Sequence, residues 1–236
     1  MTVAPRAFPQ PQAVLFDLDG TLIDSVPDIT QAVAELMASE RLAPFDEDDV
    51  RVFVGHGVRK LVERALAARG RPLDADGLTA MTARMMTIYP RHLTDRTVLM
   101  PGTLECLDQL QLRGIPMAVV TNKPQLAADI VLRHFGLHER FALVLGDAPM
   151  EGRKLRPKPA PDMLLFAAHA LGAGAPTTFM VGDSPADVES AKAAAMFSVA
   201  VRGGYCAVPI ESLQADATID TLADLGRVVD IWAVAH

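Results

Sequence analysis

Two carboxylates near the start of the chain are the residues best suited to chemistry. Asp17 and Asp19 stand two positions apart in the segment DLDGT, residues 17–21, directly after the apolar run AVLF. A short apolar run followed by a turn signal predicts a buried strand. The two-residue spacing places both side chains on the same face of an extended segment. Acids at a strand end suit cation binding, nucleophilic attack or proton transfer.

Further polar residues follow other predicted strands. They are Thr121 and Asn122 after MAVV, Lys158 within RPKPAPD, Asp183 after FMVG, and Asp187 one helical turn later. Parallel α/β sheets bind ligands at the carboxyl ends of their strands, so we expect these residues at one rim. Crowded carboxylates repel one another unless a divalent cation and a lysine lie among them. Mg²⁺ is the expected cation, because oxygen ligands suit a hard ion that often accompanies phosphate.

The elements that position these residues alternate along most of the chain. Strands are predicted in AVLFDLD, IPMAVVTN, FALVLGD, TTFMVGD, FSVAVRGG and ATID, with helices between them after residue 100. This alternation predicts an α/β fold with a doubly wound, Rossmann-like parallel sheet. Residues 25–97 instead show apolar residues at helical spacing and no convincing strand. We therefore predict a core of residues 1–24 and 98–236, and an inserted helical domain, the cap, of residues 25–97.

Composition excludes several classes of protein. Half of the 236 residues are hydrophobic, and the formal net charge is −7. This acidic balance argues against a nucleic-acid partner, and no apolar run is long enough to predict a membrane span. The Pro- and Gln-rich start does not resemble a signal peptide. Two distant cysteines make no disulfide framework, which predicts a cytoplasmic location.

Four segments together resemble a known enzyme family. DLDGT, VVTNKP, RPKPAPD and VGDSPADVESAKAA occur in the order of the four motifs of the haloacid dehalogenase-like hydrolase superfamily. The helical insertion resembles the small cap of that superfamily. The segment FVGHGVRKLVERAL, together with VTNKP and KPAPD, is most similar to bacterial phosphoglycolate phosphatases. Four ordered motifs rarely arise by chance, whereas related sugar phosphatases share the same core.

The resemblance implies a role for each acid and for the lysine. Asp17 is the expected nucleophile, which forms an aspartyl-phosphate. Asp19 protonates the leaving oxygen and later takes a proton from water. Lys158 bridges Asp17 and the phosphate. Asp183 binds Mg²⁺ together with the Asp17 carboxylate and the Asp19 main-chain oxygen. Asp187 orders this shell from behind, through lysine or water, although an acid in a first helical turn is also favourable without any such role.

The remaining implied contacts are to the substrate. The Thr121 hydroxyl and the Asn122 main-chain N–H are expected to hold phosphate oxygens. In the cap, Gly55 and a second glycine flank His56, with Arg59 close by. This loop could bind an anion such as the carboxylate of 2-phosphoglycolate. The same pattern also fits an ordinary turn with solvated basic residues.

These observations predict a Mg²⁺-dependent phosphomonoester hydrolase that acts on a small phosphorylated metabolite, foremost 2-phosphoglycolate. The alternatives are a phosphatase for another small sugar phosphate and a phosphotransferase similar to β-phosphoglucomutase. A dehalogenase is disfavoured because it needs neither Mg²⁺ nor Asp19. A phosphonate hydrolase is disfavoured because Lys60, the single cap lysine, does not match its Schiff-base position. The intact set of motif residues argues against a catalytically silent binding protein. Both a monomer and a homodimer are compatible with the sequence.

Two departures from the family pattern concern local geometry. Ala195 and Met196 stand where relatives usually have a glycine after AKAA, which puts the end of that helix in question. The segment GGYCAV, residues 203–208, also differs from the Tyr- and Gly-rich loop expected after the fifth strand of the sheet. This loop could help to shape the site.

Overall fold

The computed structural model describes residues 10–148 and 155–235. The Pro- and Gln-rich start through residue 9 and the outermost bounds predicted for the core, residues 1 and 236, lie outside the described residues.

A six-stranded parallel sheet forms the centre of the core. Its strands are β1 (Ala13–Phe16), β4 (Met117–Pro124), β5 (Leu143–Asp147), β6 (Thr178–Gly182), β7 (Phe197–Val201) and β8 (Ala217–Ile219), in the order β5-β4-β1-β6-β7-β8. β1 pairs in parallel with β4 on one side and β6 on the other. All four β1 residues are buried, because helices cover both faces of the sheet.

Helices pack on the two faces of this sheet in two layers. The core helices are α5 (Thr103–Leu112), α6 (Gln125–His134), α7 (Asp162–Ala170), α8 (Pro185–Ala193) and α9 (Leu225–Ala235). Val14 and Phe16 belong to the apolar cluster that includes α5, α6 and α9. Leu15 belongs to the cluster that includes α7 and α8. This alternation along one strand is the two-layer packing of a doubly wound sheet, and it confirms the predicted fold class.

The cap helices lie between two short strands that cross out of the core. They are α1 (Val26–Ser39), α2 (Glu47–Arg51), α3 (Val58–Ala68) and α4 (Ala75–Ile88), followed by a 3₁₀ turn, Tyr89–Arg91. β2 (Ile23–Asp24) pairs antiparallel with β3 (Val98–Leu99). Asp28 accepts hydrogen bonds from the main-chain N–H groups of Arg96 and Thr97, both at 2.9 Å. These bonds hold the two crossings together.

Several local features were not predicted. β2 and β3 have two residues each, which is too short to show an alternating pattern. α2 has five residues and depends on its N-cap, where Asp46 accepts from the Asp49 N–H at 2.8 Å. The last predicted helix begins with a separate 3₁₀ turn, Leu222–Asp224. Among the described residues, every helix is too short or too polar to cross a membrane.

Candidate active site

The site begins where β1 ends in the segment DLDGT. The chain turns at Gly20, whose φ of +89° is readily adopted only by glycine. Asp17 lies beneath this turn, almost completely buried, with its Oδ1 atom 2.9 Å from Lys158 Nζ. Burial raises the pKa of Asp17 to about 6, although the Lys158 ammonium partly offsets this rise. The predicted nucleophile and the predicted lysine are therefore in direct contact.

Lys158 lies between two carboxylates of the core. Its side chain is only 1% exposed, and Nζ also donates to Asp187 Oδ1 at 2.6 Å. Burial disfavours the charged ammonium, but Asp17 and Asp187 outweigh it and raise the pKa of Lys158. Asn122 fixes the lysine segment, because its side chain accepts from the Lys158 N–H and donates to the Lys158 carbonyl, both at 2.9 Å. The Asn122 side chain therefore holds the main chain of Lys158 in place.

Asp183 lies at the end of β6 and faces the same rim. Its Oδ1 accepts from the Thr21 hydroxyl at 2.9 Å, and its Oδ2 accepts from the Tyr205 N–H at 2.7 Å. Burial and the negative charges of Asp187 and Asp17 raise the pKa of Asp183 to about 8. The two hydrogen bonds lower the pKa of Asp183 by less than burial and the neighbouring carboxylates raise it. Additional positive charge at the site would therefore stabilise the ionised carboxylate.

Asp187 joins the start of α8 to the lysine. Ser184 is the N-cap residue of α8, and both its N–H and its hydroxyl donate to Asp187 Oδ2, at 3.0 and 2.6 Å. The other oxygen of Asp187 accepts from Lys158. Asp187 therefore stabilises the helix start and positions Lys158 at the same time. Its ordering of a metal shell stays a prediction.

The donor set and the tight packing of the rim fit a hard cation. One oxygen from each of Asp17, Asp183 and Asp187 lies within 4.8 Å of the others. A Cβ atom on Gly20 would lie 2.5 Å from Asp183 Oδ2, so this close approach requires glycine. Buried carboxylate oxygens in this arrangement are suitable ligands for a divalent metal ion.

Asp19 has a separate set of partners that the sequence did not suggest. Its Oδ1 accepts from the Ser25 hydroxyl and from Lys123 Nζ, both at 2.6 Å. Lys123 also donates to the Tyr89 hydroxyl of the cap at 2.6 Å. Lys123 lies within the segment VVTNKP that indicated the family, but nothing in the chain marks Tyr89 as its partner. Thr121, two residues before Lys123, is buried on the same strand.

The cap loop with Gly55, His56 and Gly57 lies against Asn122 of the site, and its conformation depends on the two glycines. Gly55 and Gly57 have φ values of +105° and +81°, and the Gly55 carbonyl accepts from Asn122 Nδ2 at 3.1 Å. A Cβ atom on Gly57 would lie 3.4 Å from the Asn122 carbonyl oxygen. His56 is exposed at the edge of the site, where partial desolvation and the nearby Arg64 lower its pKa.

Arg59 is not brought into the site. Its Nη1 donates to the Thr79 hydroxyl at 3.1 Å, between α3 and α4. Arg64, five residues further along α3, lines the cavity near His56 and Asp183. Of these two arginines, Arg64 lines the cavity and Arg59 contacts Thr79. The expected contact of Arg59 with substrate is therefore replaced in the structure by a contact within the cap.

The loop after β7 connects the rim to the crossing between core and cap. The Tyr205 main-chain N–H binds Asp183, and its hydroxyl accepts from the Ser25 N–H at 2.7 Å and donates to Asp24 Oδ1 at 2.9 Å. The Arg51 guanidinium of the cap lies 5.2 Å from the centre of the Tyr205 ring. The unusual GGYCAV segment thus shapes the site, as its sequence suggested.

A cleft of about 440 Å³, partly open to solvent, separates this rim from the cap. Core residues Asp17, Asp19, Thr121 and Lys123 line it, together with Val58, Leu61 and Tyr89 of the cap. A second cavity meets the first at Asp17 and Asp19. The two acids therefore lie where the space between core and cap is accessible.

Comparisons with known proteins agree with this fold. The profile of the haloacid dehalogenase-like hydrolase family matches residues 11–195. The phosphoglycolate phosphatase of Rhodospirillum rubrum is 42% identical over 221 residues, covering 92% of this chain and 90% of the relative. That of Caulobacter vibrioides is 36% identical, covering 91% and 89%. The crystal structure of a predicted phosphoglycolate phosphatase from Haemophilus somnus superposes with a TM-score of 0.85 at 28% identity, covering 94% of this chain and 99% of that one.

The sheet, the acidic rim and the inserted helices define a hydrolase with a parallel α/β core. The chain belongs to the haloacid dehalogenase-like hydrolase family. The resemblance inferred from the four motifs is therefore confirmed, and so is the predicted enzyme class, a phosphoric monoester hydrolase.

Proposed function

We propose that this enzyme hydrolyses 2-phosphoglycolate with the help of Mg²⁺, through an aspartyl-phosphate on Asp17. The observation that carries the mechanism is the contact of the buried Asp17 carboxylate with Lys158, at 2.9 Å, beside Asp183 and Asp187. The names of relatives that are up to 42% identical over most of the chain support the substrate.

In the first half-reaction, a carboxylate oxygen of Asp17 attacks phosphorus. The bond between phosphorus and the ester oxygen breaks, and the leaving oxygen takes a proton from Asp19. Lys158 offsets the repulsion between the Asp17 carboxylate and the phosphate. The Thr121 hydroxyl and the Asn122 N–H bind the other phosphate oxygens.

In the second half-reaction, water attacks the phosphorus of the aspartyl-phosphate. Asp19 now accepts a proton from that water, and the bond between phosphorus and Asp17 breaks to release inorganic phosphate. Asp17 and Asp19 line the same cleft, where Asp19 accepts hydrogen bonds from Ser25 and Lys123. One carboxyl group therefore works as acid and then as base.

Mg²⁺ would be held by the carboxylates of Asp17 and Asp183 and by the Asp19 main-chain oxygen. When bound, it supplies the positive charge that allows an anionic nucleophile to approach an anionic phosphate. Asp187 has its oxygens engaged by Ser184 and Lys158, so its role is to position the lysine.

We also propose that residues 25–97 act as a cap domain that closes over small substrates. Apolar cap residues such as Val58 and Leu61 line the cleft and would exclude bulk water. His56 would face a bound substrate from the cap edge. Both cysteines are free, which fits work in the cytoplasm, as a monomer or a homodimer.

The test is phosphate release from a panel of phosphomonoesters, measured with and without Mg²⁺. The panel contains 2-phosphoglycolate, hexose and pentose phosphates, and nucleoside monophosphates. We expect kcat/KM for 2-phosphoglycolate to exceed the others by at least about tenfold, which equals about 1.4 kcal/mol of transition-state binding. Asp17→Asn should lower turnover at least about 10³-fold, whereas Asp230→Asn, an exposed acid on α9, serves as the matched control.

Three results would change the proposal. Turnover by Asp17→Asn near the wild-type level would exclude Asp17 as nucleophile. A preference for a sugar phosphate would keep the mechanism and replace the substrate. Conversion of a sugar phosphate to its isomer without phosphate release would favour a phosphotransferase.

A further inference from the structure

Lys123 is a buried cation at the cleft with a role that the reaction above leaves open. Its side chain is 1% exposed, and Nζ contacts Asp19 Oδ1 and the Tyr89 hydroxyl, both at 2.6 Å. Burial opposes the charge on Lys123, but Asp19 and Tyr89 outweigh it and raise its pKa. Within the described residues, Asp19 is the carboxylate that pairs with this buried ammonium.

Two hydrogen-bond donors remain unused in this pair. An ammonium has three N–H donors, and those of Lys123 find two side-chain acceptors within residues 10–148 and 155–235. The Tyr89 hydroxyl accepts from Lys123, and its own proton has no acceptor within the same ranges. Burial raises the pKa of Tyr89 to about 12, so this proton is retained. Two adjacent donors, one of them charged, match the two oxygens of a carboxylate.

The position of this pair also suits the substrate. Lys123, Tyr89 and Asp19 all line the cleft. In the proposed reaction Asp19 protonates the ester oxygen, so this oxygen lies next to Asp19. The organic group attached to that oxygen then lies close to the hydrogen-bond partners of Asp19, which include Lys123. For 2-phosphoglycolate this group ends in a carboxylate.

Other cations around the cleft are less suited to this task. Lys158 is already shared by Asp17 and Asp187. Arg64 Nη1 donates to the main-chain carbonyls of Val52 and Phe53, at 3.2 and 3.1 Å. The pKa of His56 is lowered, which reduces its charge at neutral pH.

We infer that Lys123, with the Tyr89 hydroxyl, binds the carboxylate of the substrate and thereby selects anionic leaving groups. The inference rests on the proposed function and names the residue that sets its specificity. The substrate carboxylate takes over part of the ion pair that Lys123 makes with Asp19. Asp19 is then free to turn toward the ester oxygen. An ester with a neutral leaving group gains no ion pair with Lys123 and leaves Asp19 bound to that lysine, which lowers its kcat/KM relative to an ester that carries a carboxylate.

The experiment compares 2-phosphoglycolate with its carboxamide, an ester of the same size that lacks the second charge. Their ratio of kcat/KM is measured for wild type, Lys123→Met, and the matched control Lys60→Met, an exposed cap lysine paired with Glu63. We expect wild type to prefer the carboxylate and Lys123→Met to reduce this ratio by about 30-fold or more. Lys60→Met should leave the ratio unchanged, and Tyr89→Phe should reduce it less than Lys123→Met.

Each outcome has a distinct meaning. If wild type shows no preference for the carboxylate, both the proposed substrate and this inference fail. If wild type prefers it and Lys123→Met retains the preference, only the inference fails. An equal loss on both esters also overturns the inference, because Lys123 would then act through Asp19 or the fold. Circular dichroism checks folding, and Lys123→Gln, which keeps a donor for Tyr89, replaces Lys123→Met if that variant does not fold.

Discussion

Lys158 and Lys123 are both buried, and both contact an acid of the segment DLDGT, but they belong to different surroundings. The partners of Lys158, Asp17 and Asp187, come from the core alone. Lys123 contacts the core through Asp19 and the cap through Tyr89. The first ion cluster is therefore complete as soon as the core folds, whereas the second requires the cap to lie over the sheet.

This difference assigns phosphate transfer to the cluster around Lys158 and substrate specificity to Lys123 with Tyr89. The core cluster has the charges that phosphate transfer needs for any ester. Lys123 contacts Tyr89, whose side chain comes from the cap. Substitutions in the cap can therefore change which substrate is preferred and leave the residues of phosphate transfer unchanged. The two lysines should therefore fail in different ways when they are removed.

The largest effect is expected for Lys158→Met. This change leaves Asp17 and Asp187 buried without their cation, so activity should fall at least about 10³-fold and stability by about 3 kcal/mol. The loss should be the same for 2-phosphoglycolate and its carboxamide, in contrast to that of Lys123→Met. Steady-state kinetics with both esters and urea unfolding measure the two effects. If Lys158→Met lowered the activity on 2-phosphoglycolate but not on its carboxamide, the two lysines would have the same role and the comparison would be wrong.

An intermediate effect is expected from pH, because one lysine cannot neutralise all the acids of the core cluster. The pKa of Asp183 is raised from 3.8 to about 8, mainly by burial. Between these values the folded protein keeps a proton that the unfolded chain releases. The free energy of unfolding in a chelator should therefore fall as pH rises, by about 2 kcal/mol between about pH 6 and about pH 8.

Asp183→Asn should remove this decline, whereas Asp230→Asn should keep it. Urea unfolding at both pH values, with a chelator present throughout, gives the comparison. Equal slopes for wild type and Asp183→Asn would show that Asp183 does not carry the proton.

The smallest effect is expected at Ala195, which lies in the core but touches neither lysine. Its φ of +55° falls in the left-handed region, where glycine is favoured. Ala195→Gly should raise the free energy of unfolding by about 1 kcal/mol and leave the kinetics of both esters unchanged. Ala193→Gly, two residues earlier in the regular part of α8, should lower stability by a similar amount. Thermal unfolding of the two variants tests this, and equal signs would contradict it.

The comparison of the lysines also explains which residues could be predicted. Asp17, Thr121 and Asp183 each follow an apolar run, and a parallel sheet brings the ends of such runs together. Lys158 could be placed because its segment is a family motif. The unusual helix end at Ala195 could also be predicted, because relatives usually have a glycine after AKAA. The first three predictions rest on regular geometry within the core, and the other two rest on the family pattern.

Contacts between core and cap could not be predicted in the same way. Tyr89 directly follows α4, in a segment for which the sequence predicts only helices of the cap, and its contact with Lys123 depends on how two parts of the chain meet. Arg59 and Arg64 differ only in the phase of α3, which decides whether a side chain faces Thr79 or the cavity. β2 and β3 were missed because paired strands of two residues depend on each other and not on local sequence.

The glycines around the rim have a consequence for the entropy of cation binding. Side chains at Gly20 and Gly204 would collide with Asp183, and a side chain at Gly182 would collide with Asp187. Both carboxylates are thus confined by bare backbone and have little rotamer freedom left to lose. Asp183, the proposed ligand, and Asp187, which positions Lys158, are therefore ordered during folding, so an arriving ion does not have to freeze the Asp183 oxygens. Rigid ligands of this kind favour an ion that fits their spacing over one that would require them to move.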